Sequence, residues 1–156
     1  MEQMFNAPLW TIASEIELIY KSKVKASQRP VIKESKDAYE LLLQSWDEGK
    51  LDFVEQFKVL LLNRASKVLA IYQVSSGGIT GTVADPRLIF TAALKANAVA
   101  IILCHNHPSG NLKPSRADEE LTAKIKQAGA FLEIKVMDHI IISSEGYFSF
   151  ADEGLI

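Results

Sequence analysis

The stretch Ala98-Val-Ala-Ile-Ile-Leu-Cys104, followed by His105-Asn-His-Pro-Ser-Gly-Asn-Leu-Lys-Pro-Ser115-Arg-Ala-Asp118, decides how this chain is read. Its first seven residues are apolar without alternation and form a short run, the pattern of a strand buried on both faces. Histidine is scarce, three in 156 residues, yet two of the three follow at the end of that strand. Side chains two apart on an extended backbone point the same way, so His105 and His107 can share one ion. Asp118 arrives after a loop whose glycine and prolines let it fold back. Two imidazoles and a carboxylate are good zinc ligands, and three protein ligands leave the fourth tetrahedral position to water. Together these residues point to a metallohydrolase.

On either side of this stretch the pattern alternates helices and strands. Leu9, Ile12, Ile16 and Ile19 fall near helical spacing and predict a short amphipathic helix over Pro8 to Tyr20, followed by a basic connector, Lys21 to Pro30. A helix is expected from Ser35, as N-cap, through Ala38, Leu41, Leu42 and Trp46 to a stop at Gly49. Phe53 to Leu62 and Lys67 to Val74 predict an antiparallel strand pair about the Asn63-Arg-Ala-Ser66 turn. Asp85-Pro86 supplies an N-cap and a first-turn proline for a helix reaching Asn97. Ser115 starts another helix, ending near Gly129. Phe131 to Met137, His139 to Ser143 and Tyr147 to Phe150 then predict strands around the Ser144-Glu-Gly146 turn. This order implies an α/β (α+β) sandwich with a mixed sheet.

A length of 156 residues with 48% hydrophobic content suits one domain with a real core. The division expected is an N-terminal helix and basic connector over residues 1–34 and a main domain over residues 35–156. A net charge of -2 and a pI near 5.9 give no global attraction to nucleic acid or to an anionic membrane. The Lys21 to Lys33 stretch is the one local basic feature, and such connectors are more often simply solvated. A single cysteine excludes an intrachain disulfide, and the lack of a signal peptide or a long apolar span predicts a cytoplasmic protein.

The pattern His-x-His-Pro, six residues, then Ser-x-x-Asp resembles the JAMM motif of MPN-domain metalloproteases. His105-Asn-His-Pro-Ser-Gly110 with Pro114-Ser-x-x-Asp118 is similar to its bacterial RadC branch. Asp85-Pro-Arg-Leu-Ile-Phe, Ala92-Ala-Leu and Asp138-His-Ile-Ile-Ile142 extend the likeness, which covers Ser35 to Phe150. Asn106 stands where many JAMM proteins carry Ser or Thr, a feature of the RadC branch. Fuller RadC proteins carry a helix-hairpin-helix region, for which the residues before Ser35 are too few. The resemblance implies a mixed sheet sandwiched by helices, the three-layer architecture of cytidine deaminases. It also implies zinc on His105, His107 and Asp118, cleavage of a peptide or isopeptide bond in a protein substrate, and an oxyanion-stabilising role for Ser115.

The family also places a catalytic glutamate near the first core strand. Glu55 is the best match, being in phase with Phe57, Val59 and Leu61 if Phe53 to Leu62 is one strand, with Glu48 and Glu40 as competitors. A carboxylate among apolar side chains has its pKa raised toward what a general base needs. Asp118 has a structural competitor, because Pro-Ser-x-x-Asp is also how a helix begins. Cys104 would point opposite His105 and reads as a core thiol, while His139 is either a partner orienting a ligand or a structural strand histidine. Arg87 could hold a carboxylate or a substrate carbonyl, although a surface arginine is the default. The rivals are a DNA-repair or recombination accessory protein and a two-histidine, one-carboxylate iron oxygenase. A zinc deaminase is disfavoured because its second half needs two more cysteines.

Overall fold

The computed structural model describes residues 8–77 and 84–156. Five strands, β1 (Gln56–Leu62), β2 (Val68–Ser76), β3 (Ala100–Asn106), β4 (Lys135–Ser143) and β5 (Gly146–Ser149), form one sheet in the order β2-β1-β3-β4-β5. All neighbours are antiparallel except β3 and β4, whose parallel pairing needs a crossover. That crossover is α4 (Arg116–Phe131), and the loop leading into it carries the candidate site.

The apolar run of β3 takes the central position of the sheet, where both faces of the strand are covered. Alternation sends Ile101 and Leu103 to one face, with Phe57, Val59 and Leu61 of β1, under α4 and α3 (Pro86–Lys95). Ala100, Ile102 and Cys104 go to the other face, with Leu60 and Leu62, under α1 (Ser35–Ser45). The result is the three-layer arrangement expected, a mixed sheet between helices. Each large side chain so enclosed contributes about 1.5–3 kcal/mol relative to exposure. Cys104 is buried on the α1 side, opposite His105, and burial pushes its thiol pKa up, as suits an inert core thiol.

Local boundaries depart from expectation where tertiary contacts override pattern. The first strand begins at Gln56 rather than Phe53, because the chain turns off a short helix, α2 (Glu48–Leu51), and leaves Phe53 73% exposed. Glu34, not Ser35, caps α1, in a capping box shared with Asp37. The helix from Ser115 runs past Gly129 to Phe131. Gly129 lies within it because a Cβ there would run into the Ile134 carbonyl oxygen. The two strands expected at Phe131 to Met137 and His139 to Ser143 are one, interrupted by a bulge: Ile101 pairs with Val136 but Ile102 with Asp138.

The amphipathic helix expected over Pro8 to Tyr20 is not formed. Only Leu9–Ile12 makes a 3-10 turn, and Leu9, Ile12, Ile16 and Ile19 are exposed. A short helix with no surface to receive its apolar stripe does not repay its nucleation. The segment is held instead by Tyr20, whose hydroxyl donates to the Leu69 carbonyl at 2.7 Å. Among the described residues, no helix is long and apolar enough to cross a membrane.

Candidate metal centre

β3 turns His105 toward the α4 layer, and His107 follows one residue beyond the strand. The His107 backbone N–H donates to the Ile142 carbonyl at 2.9 Å, which keeps the chain extended and both rings on one side. The two Nε2 atoms lie 2.9 Å apart. Asp118 faces them, with Oδ1 3.3 Å from His105 Nε2 and Oδ2 3.3 Å from His107 Nε2. One donor atom each from Glu55, His105, His107 and Asp118 lies within 4.8 Å of the others. Ligands around a tetrahedral ion with bonds of about 2.0–2.1 Å are separated by about 3.3 Å, so the three-ligand triangle has the right size.

The hydrogen bonds fix which nitrogens carry protons. His107 Nδ1 meets the Asn111 carbonyl at 2.6 Å and must donate to it, which leaves Nε2 bare in the neutral ring. The Thr122 hydroxyl donates to the Asp118 carbonyl at 2.7 Å, so it accepts from His139 Nδ1 at 2.6 Å. His139 Nε2 is then an acceptor and receives the proton of His105 Nδ1 at 2.7 Å. His105 Nε2 is therefore bare as well. Two lone pairs and a carboxylate converge on one point, an arrangement suited to a cation. The hydrogen bond with Asp118 raises the His107 pKa against the effect of burial. The same donor set fits a metal ion.

His139 belongs to this site because of the bulge in β4. The extra residue reverses the strand's alternation, so Asp138 faces away and His139 faces His105. The ring is fully buried, stacked on Phe150 at 4.8 Å and met edge-on by Phe57 at 5.5 Å, while Phe57 stacks on His105. Burial, reinforced by the neighbouring His105, holds its pKa well below the ordinary imidazole value and keeps it neutral.

Asp118 caps the helix and also faces the two imidazoles, so the two roles that the sequence left in competition do not exclude each other. Its Oδ2 accepts from the Ser115 backbone N–H at 2.8 Å, while its own N–H donates to Ser115 Oγ at 3.0 Å, a reciprocal capping box for α4. Burial pushes its pKa up, but its close approach to the His105 and His107 rings, together with the Ser115 N–H, outweighs that and holds it well below the carboxylate range. Ser115 stands at the rim of an open cleft of about 470 Å³ lined by Glu55, His107, Pro108 and Ser115. Its oxygen is occupied as an acceptor, so its hydroxyl proton is available to a ligand there.

Glu55 reaches the cluster from the turn before β1, not from within the strand. Burial raises its pKa, and the Asp118 charge adds to this, against the lowering effect of His105 and His107. Neither competitor comes near: Glu40 pairs with Lys36 across an exposed turn of α1, and Glu48 is exposed in α2. Arg87 forks onto Asp85 at the exposed start of α3 and takes no part. Sequence reasoning missed Thr122, whose signal was its i+4 spacing from Asp118 on one helix face. It also missed a structural task for Asn106, a polar residue buried at a strand end.

This geometry agrees with a family match. A model of the RadC-like JAB domain covers residues 32–155. The chain belongs to the RadC-like JAB domain family. Its relatives include the "UPF0758 protein" of Flavobacterium johnsoniae, 48% identical over 124 residues, 80% of this chain and 53% of that protein. Another, from Porphyromonas gingivalis, is 48% identical over 103 residues, 65% of this chain and 45% of its own. The "UPF0758 protein" of Chlorobaculum parvum is 36% identical over 152 residues, 97% of this chain and 67% of its own. The chain spans about half the length of the first two. As a RadC-like domain it carries a His-His-Asp-Glu group that could hold a metal, drawn from the end of β3, the residue after it, the first turn of α4 and the turn before β1.

Proposed function

We propose that this RadC-like domain is a zinc-dependent hydrolase of JAMM type that cleaves a peptide or isopeptide amide in a protein substrate. The observation that carries this is the position of the Glu55 carboxylate, within 4.8 Å of a bare three-ligand set and open to the cleft. His105, His107 and Asp118 would hold the ion. Bound there, zinc would bring the pKa of a water toward about 7 and polarise the scissile carbonyl.

The remaining work falls to side chains. Glu55, its pKa raised, takes the proton of the attacking water on a carboxylate oxygen and delivers it to the leaving amine nitrogen. Ser115 Oγ donates its free proton to the carbonyl oxygen as charge develops, a contribution of about 3–4 kcal/mol when a donor is well aimed. His139 and the Asn111 carbonyl hold the two imidazoles in the tautomers that binding requires.

The test begins with protein purified without chelator. Elemental analysis should find one zinc per chain. Screening against a peptide library and isopeptide-linked conjugates should find amide cleavage that chelation abolishes and zinc restores. A chain that takes up no metal when zinc is supplied, or holds zinc and cleaves none of these amides, overturns the proposal.

A further inference from the structure

Asn106 is fully buried and takes no part in the ligand set, although it sits between two of its members. Strand alternation turns its side chain away from His105 and His107, beneath the chain that leaves α2. There Nδ2 donates to the carbonyls of Leu51 at 2.8 Å and Val54 at 2.9 Å, and Oδ1 accepts from the Gln56 backbone N–H at 2.7 Å. These partners fix the orientation of the amide, since the reverse would set its NH2 against an N–H and its carbonyl against two carbonyls.

The Val54 carbonyl belongs to the peptide group before Glu55, and the Gln56 N–H to the one after it. One side chain of the metal-ligand strand thus ties down both peptide groups that flank the proposed base. The Glu55 carbonyl is held separately by the Gly77 N–H at 2.8 Å. Residues 52–55 lie outside the β1 ladder; the Phe53 and Val54 N–H groups are held on the Lys50 carbonyl at 3.1 Å each, and Asn106 is the side chain that ties this turn to the strand carrying His105. A carboxylate must stand within hydrogen-bond reach of the proton it removes, and misplacement by about 1 Å can cost about 100-fold.

We propose that Asn106 is a positioning residue: through its amide, the strand that carries His105 and His107 also sets the Glu55 carboxylate at its place beside them. This rests on Glu55 acting as the base, and the test separates the two ideas. It uses zinc-loaded protein carrying Asn106→Ser, alone and combined with Glu55→Gln. Amide exchange at Gln56 should quicken by about tenfold or more while Leu60 and Leu61 keep their protection and zinc stoichiometry is unchanged. On the peptide or isopeptide conjugate that wild type cleaves, kcat should fall by about 100-fold with little change in KM, and in the Glu55→Gln background the second change should cost nothing further.

Unchanged exchange at Gln56, zinc lost in step with kcat, or the same kcat loss in both backgrounds would each overturn the proposal. If Asn106→Ser does not fold, the isosteric Asn106→Asp carries the turnover half, since it keeps the acceptor for Gln56 but faces two carbonyls with a carboxylate. Should no amide be cleaved by wild type, the function proposed above fails, and the exchange measurement alone decides whether Asn106 is the clamp.

Discussion

His105 Nδ1 and His139 Nε2 lie 2.7 Å apart in a buried pocket walled by Phe57 and Phe150, so the tautomer of one ring dictates that of the other. Thr122 completes the chain of donors back to the Asp118 carbonyl, which links the orientation of one proposed ligand to the backbone of another. His139→Leu removes the acceptor and frees His105 to put its proton on Nε2, where a metal would bind. Zinc affinity, read by competition with a chromophoric chelator, should fall about 10–100-fold, the usual effect of losing a residue that orients a ligand. An unchanged affinity would reduce His139 to a packing residue.

Asp118 joins the helix start to the proposed ligand set, and two substitutions separate the roles. Asp118→Asn keeps an oxygen for the Ser115 N–H but loses the negative charge, so zinc affinity should drop while thermal stability of the metal-free protein changes little. Asp118→Ala loses the cap bond as well and should cost about 1 kcal/mol more in urea unfolding. If the Asp118→Asn variant binds zinc as wild type does, the carboxylate is only a capping residue.

The clustering of His105, His107 and Asp118 was legible because they lie within fourteen positions and the strand and helix start that hold them have local signatures. The apolar run before His105 and the Pro-Ser-x-x-Asp start of α4 each depend on neighbours in sequence, and both appear where expected. The bulge in β4 left no such mark. It depends on how Ile101 and Ile102 meet Val136 and Asp138 across the sheet, and it alone turns His139 toward His105. The N-terminal segment failed in the opposite way: Leu9, Ile12, Ile16 and Ile19 have helical spacing, but a stripe without a receiving surface does not fold. Glu55 joins the cluster from the turn before β1 and not through the strand phase that singled it out in the sequence.

Glu55→Gln keeps shape and hydrogen-bonding capacity but cannot take a proton as a base. Zinc content and folding should survive while turnover falls about 10²–10⁴-fold. Ser115→Ala should also slow turnover, but with a loss of about 1 kcal/mol in stability from the missing N-cap. Full activity in zinc-replete Glu55→Gln protein would remove Glu55 from the chemistry.

Asp138 gives a pH dependence separate from the metal ligands. It is buried on the α1 side of β4, where Oδ1 accepts from the His139 and Ala151 N–H groups at 2.7 and 2.9 Å and Oδ2 from the Ser149 hydroxyl at 2.6 Å. Burial raises its pKa, with the Asp152 charge adding to it, although these three bonds pull the other way. A folded-state pKa above the unfolded value means that the folded chain binds the proton more tightly. The contribution to stability is fully present below the unfolded value of about 3.9 and is lost as pH rises through the raised folded value. Asp138→Asn keeps an acceptor for both N–H groups and can donate to Ser149, without the buried charge. Its urea midpoint, relative to wild type, should therefore rise as pH climbs above about 4 and level off once pH passes the raised folded value. A gap between the two proteins that stays constant as pH rises from about 4 would show that Asp138 titrates alike in the folded and unfolded chains.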